Sequence, residues 1–300
     1  MKLLLSGSFD PGEEAVWRQA LVAALPEAQL LDAEAARRCA PDVVVAIVAS
    51  PPPGSLQGLP HLKLIQSLWA GVDRLLADPT LPQGVPLARM VDPAMNAAMA
   101  ETALWAVLAL HRGYFRYARQ QREGRWRPLP QRRADEVPVL VLGQGQMGRT
   151  AAARLMQMGY PVTGWRRDGQ PLAPLLARSQ IVINLLPLTP DTRGLLNAGF
   201  FASLPHGAGV VNLARGAHLV DADLLTALQS GRVGHAVLDV FHTEPLPSEH
   251  PYWQHPQLTV LPHAAAATDP RSAAAMAAAN VRAALASQPL ANLVDRQRGY

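Results

Sequence analysis

The sequence predicts an α/β chain in which two doubly wound parallel-sheet domains flank a cleft. Three observations predict it. Apolar, β-branched runs of strand length alternate with helix-length segments, the pattern of parallel strands joined by helices. That alternation runs twice, once on each side of a long stretch rich in alanine, leucine and methionine. A length of 300 residues is too much for one core of ordinary size and suits two.

The elements follow in order. Residues 2–6 read as a short apolar strand and 13–25 as a helix that Pro26 ends. Residues 43–49 form a β-branched strand halted by Pro51-Pro52-Pro53-Gly54. A third strand, 62–68, leads into the turn Ala70-Gly71. Residues 95–122 read as one long helix closed by Gly124 and Pro128. Six more strands are expected at 139–142, 162–165, 181–186, 210–213, 236–241 and 258–261. A helix follows the first of these at 149–158, and an alanine-rich helix, 271–287, comes after Pro270.

Composition narrows the function classes. With 49% hydrophobic and 17% charged residues the chain packs a core rather than staying disordered. A single cysteine, Cys39, excludes an internal disulfide and a cysteine-only metal cage. Only three leucines precede Asp10, too few for a signal-peptide core, and no apolar run is read as nearing the roughly 20 residues of a membrane helix. A cytoplasmic protein without a membrane partner is expected. Lysine occurs only at 2 and 63, so 25 of the 27 basic residues are arginine, and eight of these lie between Arg112 and Arg133. Arg112, Arg116 and Arg119 share a helix face. No nucleic-acid motif accompanies them, so a solvated face or subunit contact is expected and no nucleic-acid partner. His242, His250 and His255 lie near Glu244 and Glu249, but separations of eight and five residues in a proline-rich loop fit no ligand pattern. No metal site is expected.

Gly143-Gln144-Gly145-Gln146-Met147-Gly148 follows a strand and opens a helix. In that context the first glycine permits the tight turn, the second admits a pyrophosphate, and the third lets helix and strand pack closely. The phosphates would rest on the helix N-terminus, beside Gln146 and Met147. An acidic residue about 20 positions on would mark NAD. Here the strand 162–165 ends in Arg166-Arg167, which favours the 2′-phosphate of NADP, with NAD still possible.

Three later strands end in chemistry-bearing residues: Arg215 after 210–213, Glu244 after 236–241, and His263 after 258–261. The carboxyl ends of parallel strands share one edge, so all three fall on the side of the glycine loop. A guanidinium binds carboxylate and polarises carbonyl, an imidazole passes a proton, and a carboxylate beside it favours its charged form.

With these motifs, and with Asn184-Leu185-Leu186-Pro187, Asn212-Leu213-Ala214-Arg215-Gly216, Leu238-Asp239-Val240-Phe241-His242-Thr243-Glu244-Pro245-Leu246-Pro247 and Pro262-His263, the chain resembles the D-isomer-specific 2-hydroxyacid dehydrogenase family. Leu68-Trp69-Ala70-Gly71-Val72-Asp73, Trp126-Arg127-Pro128-Leu129-Pro130 and the ending Val294-Asp295-Arg296-Gln297-Arg298-Gly299-Tyr300 resemble its bacterial branch acting on glyoxylate and hydroxypyruvate. The resemblance implies a Rossmann-like cofactor domain, 96–266, and a flavodoxin-like substrate domain, 1–95 with 267–300. It implies that Arg215 binds the substrate carboxylate and carbonyl, that His263 is the general acid and that Glu244 is its partner. The amides of Ala70, Gly71 and Val72 would hold the carboxylate. Leu186, Pro187, Ala214 and Asp239 would line the nicotinamide side, Asp239 near its carboxamide. The branch usually carries glycine where Trp69 stands. An indole there narrows the pocket, stacks on an aromatic substrate, or points into the core.

The expected activity is NADPH-dependent reduction of a small 2-oxo acid, glyoxylate or hydroxypyruvate, to the D-2-hydroxy acid, by a homodimer. The alternatives are a reductase of a bulkier acid such as phenylpyruvate, and a non-catalytic dinucleotide sensor.

Overall fold

The computed structural model describes the backbone of residues 1–300 and every side chain except that of Pro11. The chain divides into two compact units, Met1–Met95 with Thr268–Tyr300, and Asn96–Ala267.

The first unit holds five parallel strands, β1 (Lys2–Gly7), β2 (Gln29–Leu31), β3 (Val43–Ala49), β4 (Leu64–Ser67) and β5 (Leu87–Ala88), in the order β2-β1-β3-β4-β5. This is the flavodoxin-like order. Helix α1 (Pro11–Ala24) starts at Asp10, whose carboxylate accepts the Glu13 N–H at 2.7 Å, and α2 (Ala33–Arg38) starts at Asp32 in the same way. A single helical turn, α3 (Asp73–Leu76), follows β4. The strands β2 and β5 are absent from the sequence reading, being only three and two residues long.

The second unit opens with α4 (Pro93–His111) and α5 (Tyr114–Arg122), where the sequence suggests one helix. Gly113 breaks it in the left-handed conformation at φ 72°, and a Cβ there would come within 2.7 Å of Leu129. At 19 residues α4 is long and apolar enough to cross a membrane, contrary to the sequence expectation. Its Met99, Ala100, Ala103, Ala106 and Val107 lie instead in a core against the second sheet.

That sheet contains β6 (Val139–Leu142), β7 (Val162–Trp165), β8 (Ile181–Asn184), β9 (Ala208–Asn212), β10 (Val233–Leu238) and β11 (Leu258–Val260), all parallel, in the order β7-β6-β8-β9-β10-β11. Val139 and Val141 face α4 and α6 (Gln146–Gln157) with Ile181, Ile183, Val211 and Val237. Leu140 and Leu142 face the other way with Val182, Val210 and Leu238, onto Phe200, Phe201, Leu224 and Leu228. Burial on both faces is why these strands read as unbroken apolar runs. The edge strand is β7. Past it the polar run Arg166-Arg167-Asp168-Gly169-Gln170 cannot feed another buried strand, and the chain returns to β8 through α7 (Leu172–Leu176), only five residues long. The order therefore lacks the outermost strand of the usual dinucleotide-binding sheet. The switch point lies at β6, between β7 and β8.

The C-terminal helix (Pro270–Leu285) returns to the first unit and lays a stripe of buried alanines against α1. Its Asn280 is buried and makes three bonds, Nδ2 donating to Gln66 Oε1 at 2.8 Å and to the Ala291 carbonyl at 3.0 Å, and Oδ1 accepting the Ala291 N–H at 2.9 Å. Asn280→Ala orphans Gln66 and Ala291 together. It is expected to lower unfolding stability by about 2–4 kcal/mol in urea titrations, well beyond a surface Asn→Ala change.

Candidate active site

The glycine loop sits at the carboxyl end of β6. Gly143 is left-handed at φ 97°, and a Cβ on it would lie 2.5 Å from the Leu185 carbonyl oxygen. Gly148 is tighter, since its Cβ would overlap the Gly143 carbonyl oxygen at 1.9 Å. Gly145 differs in kind: a Cβ there would meet nothing within 4 Å. It is the N-cap of the 12-residue α6, no side chain caps that helix, and the N–H groups of Gln146, Met147 and Gly148 have no acceptor among the described residues. Open space over three unpaired amides fits a pyrophosphate.

Beside this loop lies a cavity of about 310 Å³ whose lining includes Gln144, Arg149, Trp165, Arg166 and Gln170. Arg166 reaches it, with its Nε 3.5 Å from Asp168. Arg167 is not part of the lining and is ion-paired with Asp191. Arg149 takes its place, its Nε donating to the Gln144 carbonyl at 2.7 Å. The sequence reading missed Arg149, although a basic residue directly after the third glycine is a visible signal.

Two fully buried asparagines hold the loops beyond β8 and β9. Asn184 and Asn212 face each other in register, Asn184 Nδ2 donating to Asn212 Oδ1 at 3.0 Å. Asn184 Oδ1 accepts the Leu186 N–H at 3.2 Å, and Asn212 Nδ2 donates to the Arg215 carbonyl at 3.0 Å. His218, also fully buried, lies 3.2 Å from the Arg215 carbonyl through Nδ1 and 3.2 Å from the Pro187 carbonyl through Nε2. Leu186, Pro187, Ala214 and Arg215 are thus held by one polar cluster. In the sequence each asparagine shows only as a polar residue closing an apolar strand, and their pairing emerges from the register of β8 and β9; His218 left no signal. Gly216 brings this cluster onto the next loop, since a Cβ there would strike the Phe241 carbonyl carbon at 2.0 Å.

After β10 the Glu244 carboxylate is held at both oxygens. Oε1 accepts the Phe241 N–H at 2.9 Å, and Oε2 is 2.8 Å from His263 Nδ1. Glu244 is mostly buried and His263 half exposed, so the ring presents Nε2 outward. His263 has φ 55°, a left-handed backbone uncommon for a residue with a side chain. Its N–H donates to the Asp239 carbonyl at 2.9 Å. The Asp239 carboxylate, 1% exposed, accepts the N–H groups of Ala264 at 2.8 Å and Ala265 at 3.0 Å. Burial raises its pKa above the ordinary carboxylate value, and those two amides oppose the rise. A second cavity, about 370 Å³, lies on this turn between Glu101, Thr102, Trp105, Leu261, Ala264 and Ala265.

In the first unit, the loop after β4 carries Trp69, Ala70, Gly71 and Val72. The Trp69 ring stands edge-on to Trp17 at 5.8 Å and to Phe9 at 6.5 Å, so an aromatic cluster of its own unit engages it. The N–H groups of Ala70, Gly71 and Val72 find no acceptor among the described residues. Among those residues no group of His, Cys, Asp and Glu is arranged to hold a metal ion.

A glycine loop on an uncapped helix and a histidine–carboxylate pair on the same strand edge define a dinucleotide-binding α/β protein with an acid–base site. The profile of the D-isomer-specific 2-hydroxyacid dehydrogenase family, NAD-binding domain, matches residues 104–265, more than half of the chain, and the chain belongs to that family. It is 40% identical to glyoxylate/hydroxypyruvate reductase A of Serratia proteamaculans, with all of both chains covered. It is 38% identical to the protein of that name from Klebsiella pneumoniae, over 95% of this chain and 96% of the other. Among solved structures it is similar to a D-isomer-specific 2-hydroxyacid dehydrogenase of Xanthobacter autotrophicus in complex with NADPH and MES (TM-score 0.93, 40% identity, 100% and 99% of the chains covered). It is also similar to an NADPH-dependent glyoxylate/hydroxypyruvate reductase of Sinorhizobium meliloti in complex with NADP and sulfate (TM-score 0.92, 33% identity, 100% and 99% covered).

The glycines separate two kinds of requirement. Gly145→Val is expected to leave the thermal melting temperature within about 2 °C of wild type while abolishing NADPH binding in a fluorescence titration. Gly148→Ala is expected to lower the melting temperature by several degrees, because backbone must move to admit the methyl group.

Proposed function

We propose that this chain is an NADPH-dependent 2-oxo acid reductase that converts glyoxylate and hydroxypyruvate to glycolate and D-glycerate. The observation that carries the reading is the His263–Glu244 pair on the strand edge that also bears the glycine loop and Arg215. The full-length relatives named as reductases of these two acids support it.

The reduced nicotinamide, when bound, supplies the hydride. The chain's own residues do the rest. Gly145 and the amides of Gln146, Met147 and Gly148 hold the pyrophosphate, and Arg166 with Arg149 faces the 2′-phosphate. Arg167, paired with Asp191, adds positive charge beyond them. Leu186, Pro187 and Ala214 line the nicotinamide side, and Asp239 stands behind it holding the His263 turn. The amides of Ala70, Gly71 and Val72 take the substrate carboxylate, and Arg215 draws electron density from the carbonyl. His263 Nδ1 donates to Glu244, so the proton delivered to the new alkoxide comes from Nε2. A sensor has no use for this proton path. Trp69, engaged by Trp17 and Phe9, favours a small acid over a phenyl-bearing one.

Residues 1–95 with 267–300 act as the substrate domain and 96–266 as the cofactor domain. The active form is a homodimer, supported by the fully exposed Trp126 and by Tyr114 at 59% exposure within the arginine-rich region. The lone, half-buried Cys39 suits a reducing cytoplasm, and the core packing of α4 suits a protein with no membrane partner.

Following absorbance at 340 nm with glyoxylate, hydroxypyruvate, pyruvate and phenylpyruvate, each with NADPH and with NADH, tests the reading. Fast NADPH oxidation on the first two is expected; none on any acid, with NADPH bound, would overturn it. His263→Ala is expected to lower kcat about 10²- to 10⁴-fold with NADPH affinity unchanged. The sign of the pH dependence follows from the proton. Reduction takes up one proton and oxidation of the hydroxy acid releases one, so raising the pH shifts the reaction equilibrium toward oxidation, which the end-point NADPH absorbance checks. Glu244→Gln replaces the charged partner of His263 Nδ1 with a neutral one and is expected to lower kcat about tenfold or more with NADPH affinity unchanged.

A further inference from the structure

At the carboxyl edge of the first sheet, β4 and β5 end side by side, and the Met90 N–H donates to the Trp69 carbonyl at 3.0 Å. The residue before Met90 is Arg89. It is partly buried, yet its guanidinium has no hydrogen bond, ion pair or ring contact among the described residues. Several other arginines of this unit have acceptors, although Nη1 of Arg296 is itself buried without one. Arg18 donates to Glu14 at 3.0 Å, Arg282 to Glu27 at 2.9 Å, and Arg296 to the Val85 carbonyl at 2.6 Å. Asp92, the nearest acid along the chain, is turned elsewhere, accepting from Ala94 N–H at 3.0 Å and Ser272 Oγ at 2.6 Å. Burial alone depresses the Arg89 pKa, and no neighbouring charge contributes.

A guanidinium drawn out of water without an acceptor is unfavourable, so a fold that keeps one has a use for it. Strand alternation indicates the use. Continued one residue past the end of β5, strand alternation carries Arg89 to the face of Leu87, on which Val72 and Leu75 pack. Ala70, Gly71 and Val72, whose three amides are also unpaired, lead onto that face. Four unpaired donors at one sheet edge, one of them charged, complement a small planar anion.

We propose that Arg89 is an anion-binding residue of the substrate domain, forming with the amides of Ala70, Gly71 and Val72 a receptor for the carboxylate of the 2-oxo acid. The proposal rests on the reductase reading for the identity of the anion and for the role of the three amides; the guanidinium of Arg89 is what it adds.

Calorimetric titration of the full chain with oxalate, an unreactive carboxylate, reads the receptor without turnover. Wild type should bind oxalate, Arg89→Met should weaken it about tenfold or more, and Arg89→Lys should fall between, since ammonium keeps the charge and loses the fork. NADPH affinity should be unchanged in both variants. The Arg89→Met melting temperature should not fall, because an unpaired charge has been removed, and oxalate should raise it less than in wild type. Arg37→Met, an exposed arginine of the same unit, should bind oxalate like wild type. The proposal is overturned if wild type does not bind oxalate, if Arg89→Met binds it within about twofold of wild type, or if Arg37→Met weakens it equally. Failure of the reductase reading looks different: oxalate binds through Arg89, yet glyoxylate and hydroxypyruvate leave NADPH unoxidised.

Discussion

The acid–base site depends on one buried carboxylate. Asp239 stands at the end of β10 and binds the next strand's exit three times, through its carbonyl to His263 and through its carboxyl oxygens to Ala264 and Ala265. A residue with a side chain resists the left-handed backbone that His263 adopts by about 1–3 kcal/mol. Three bonds to a group that cannot reach water outweigh that resistance. With the backbone fixed, the His263 ring meets Glu244, and Glu244 is fixed in turn by the Phe241 amide. The proton-carrying nitrogen is aimed by backbone contacts several residues away from it.

The same device recurs one and two strands over. Asn184 and Asn212 are buried at the ends of β8 and β9 and spend their amide groups on each other and on the first turns of the loops beyond. A parallel sheet buried on both faces leaves its strand ends as the places where polar groups gather. A polar side chain on the last residue of a strand can therefore do what backbone pairing does inside the sheet. The result is a row of loops, at Leu186, Arg215, Glu244 and His263, each held from beneath by a buried amide or carboxylate.

These supports explain what the sequence could and could not reveal. Most strands of the second sheet were legible because burial on both faces makes them continuous apolar runs between helices. β2 and β5 were not, since two or three residues carry no period and their pairing is set by neighbouring strands. The break at Gly113 was masked by good helix formers on both sides. Residues that do chemistry were legible as exceptions at strand ends. Residues that hold them were harder to read, because an asparagine in an apolar run or a histidine two residues after a glycine looks like noise until its partners are known. Arg167 shows the opposite limit. Adjacent arginines are equivalent in sequence, and only the path of the chain past β7 decides that Arg166 reaches the cavity while its neighbour pairs with Asp191.

The near-exclusive use of arginine over lysine fits this arrangement. The anions the proposed reaction requires are planar or tetrahedral, with oxygens spaced to match a guanidinium fork or a row of backbone amides. The α6 amides face the proposed pyrophosphate and Arg149 with Arg166 the proposed 2′-phosphate, while the proposed carboxylate is offered the amides of Ala70, Gly71 and Val72 together with Arg89. Backbone amides bring direction but no net charge; a fork brings charge that does not switch off with pH. Dividing the task this way leaves proton transfer in each turnover to a separate group, the imidazole of His263 held by Glu244.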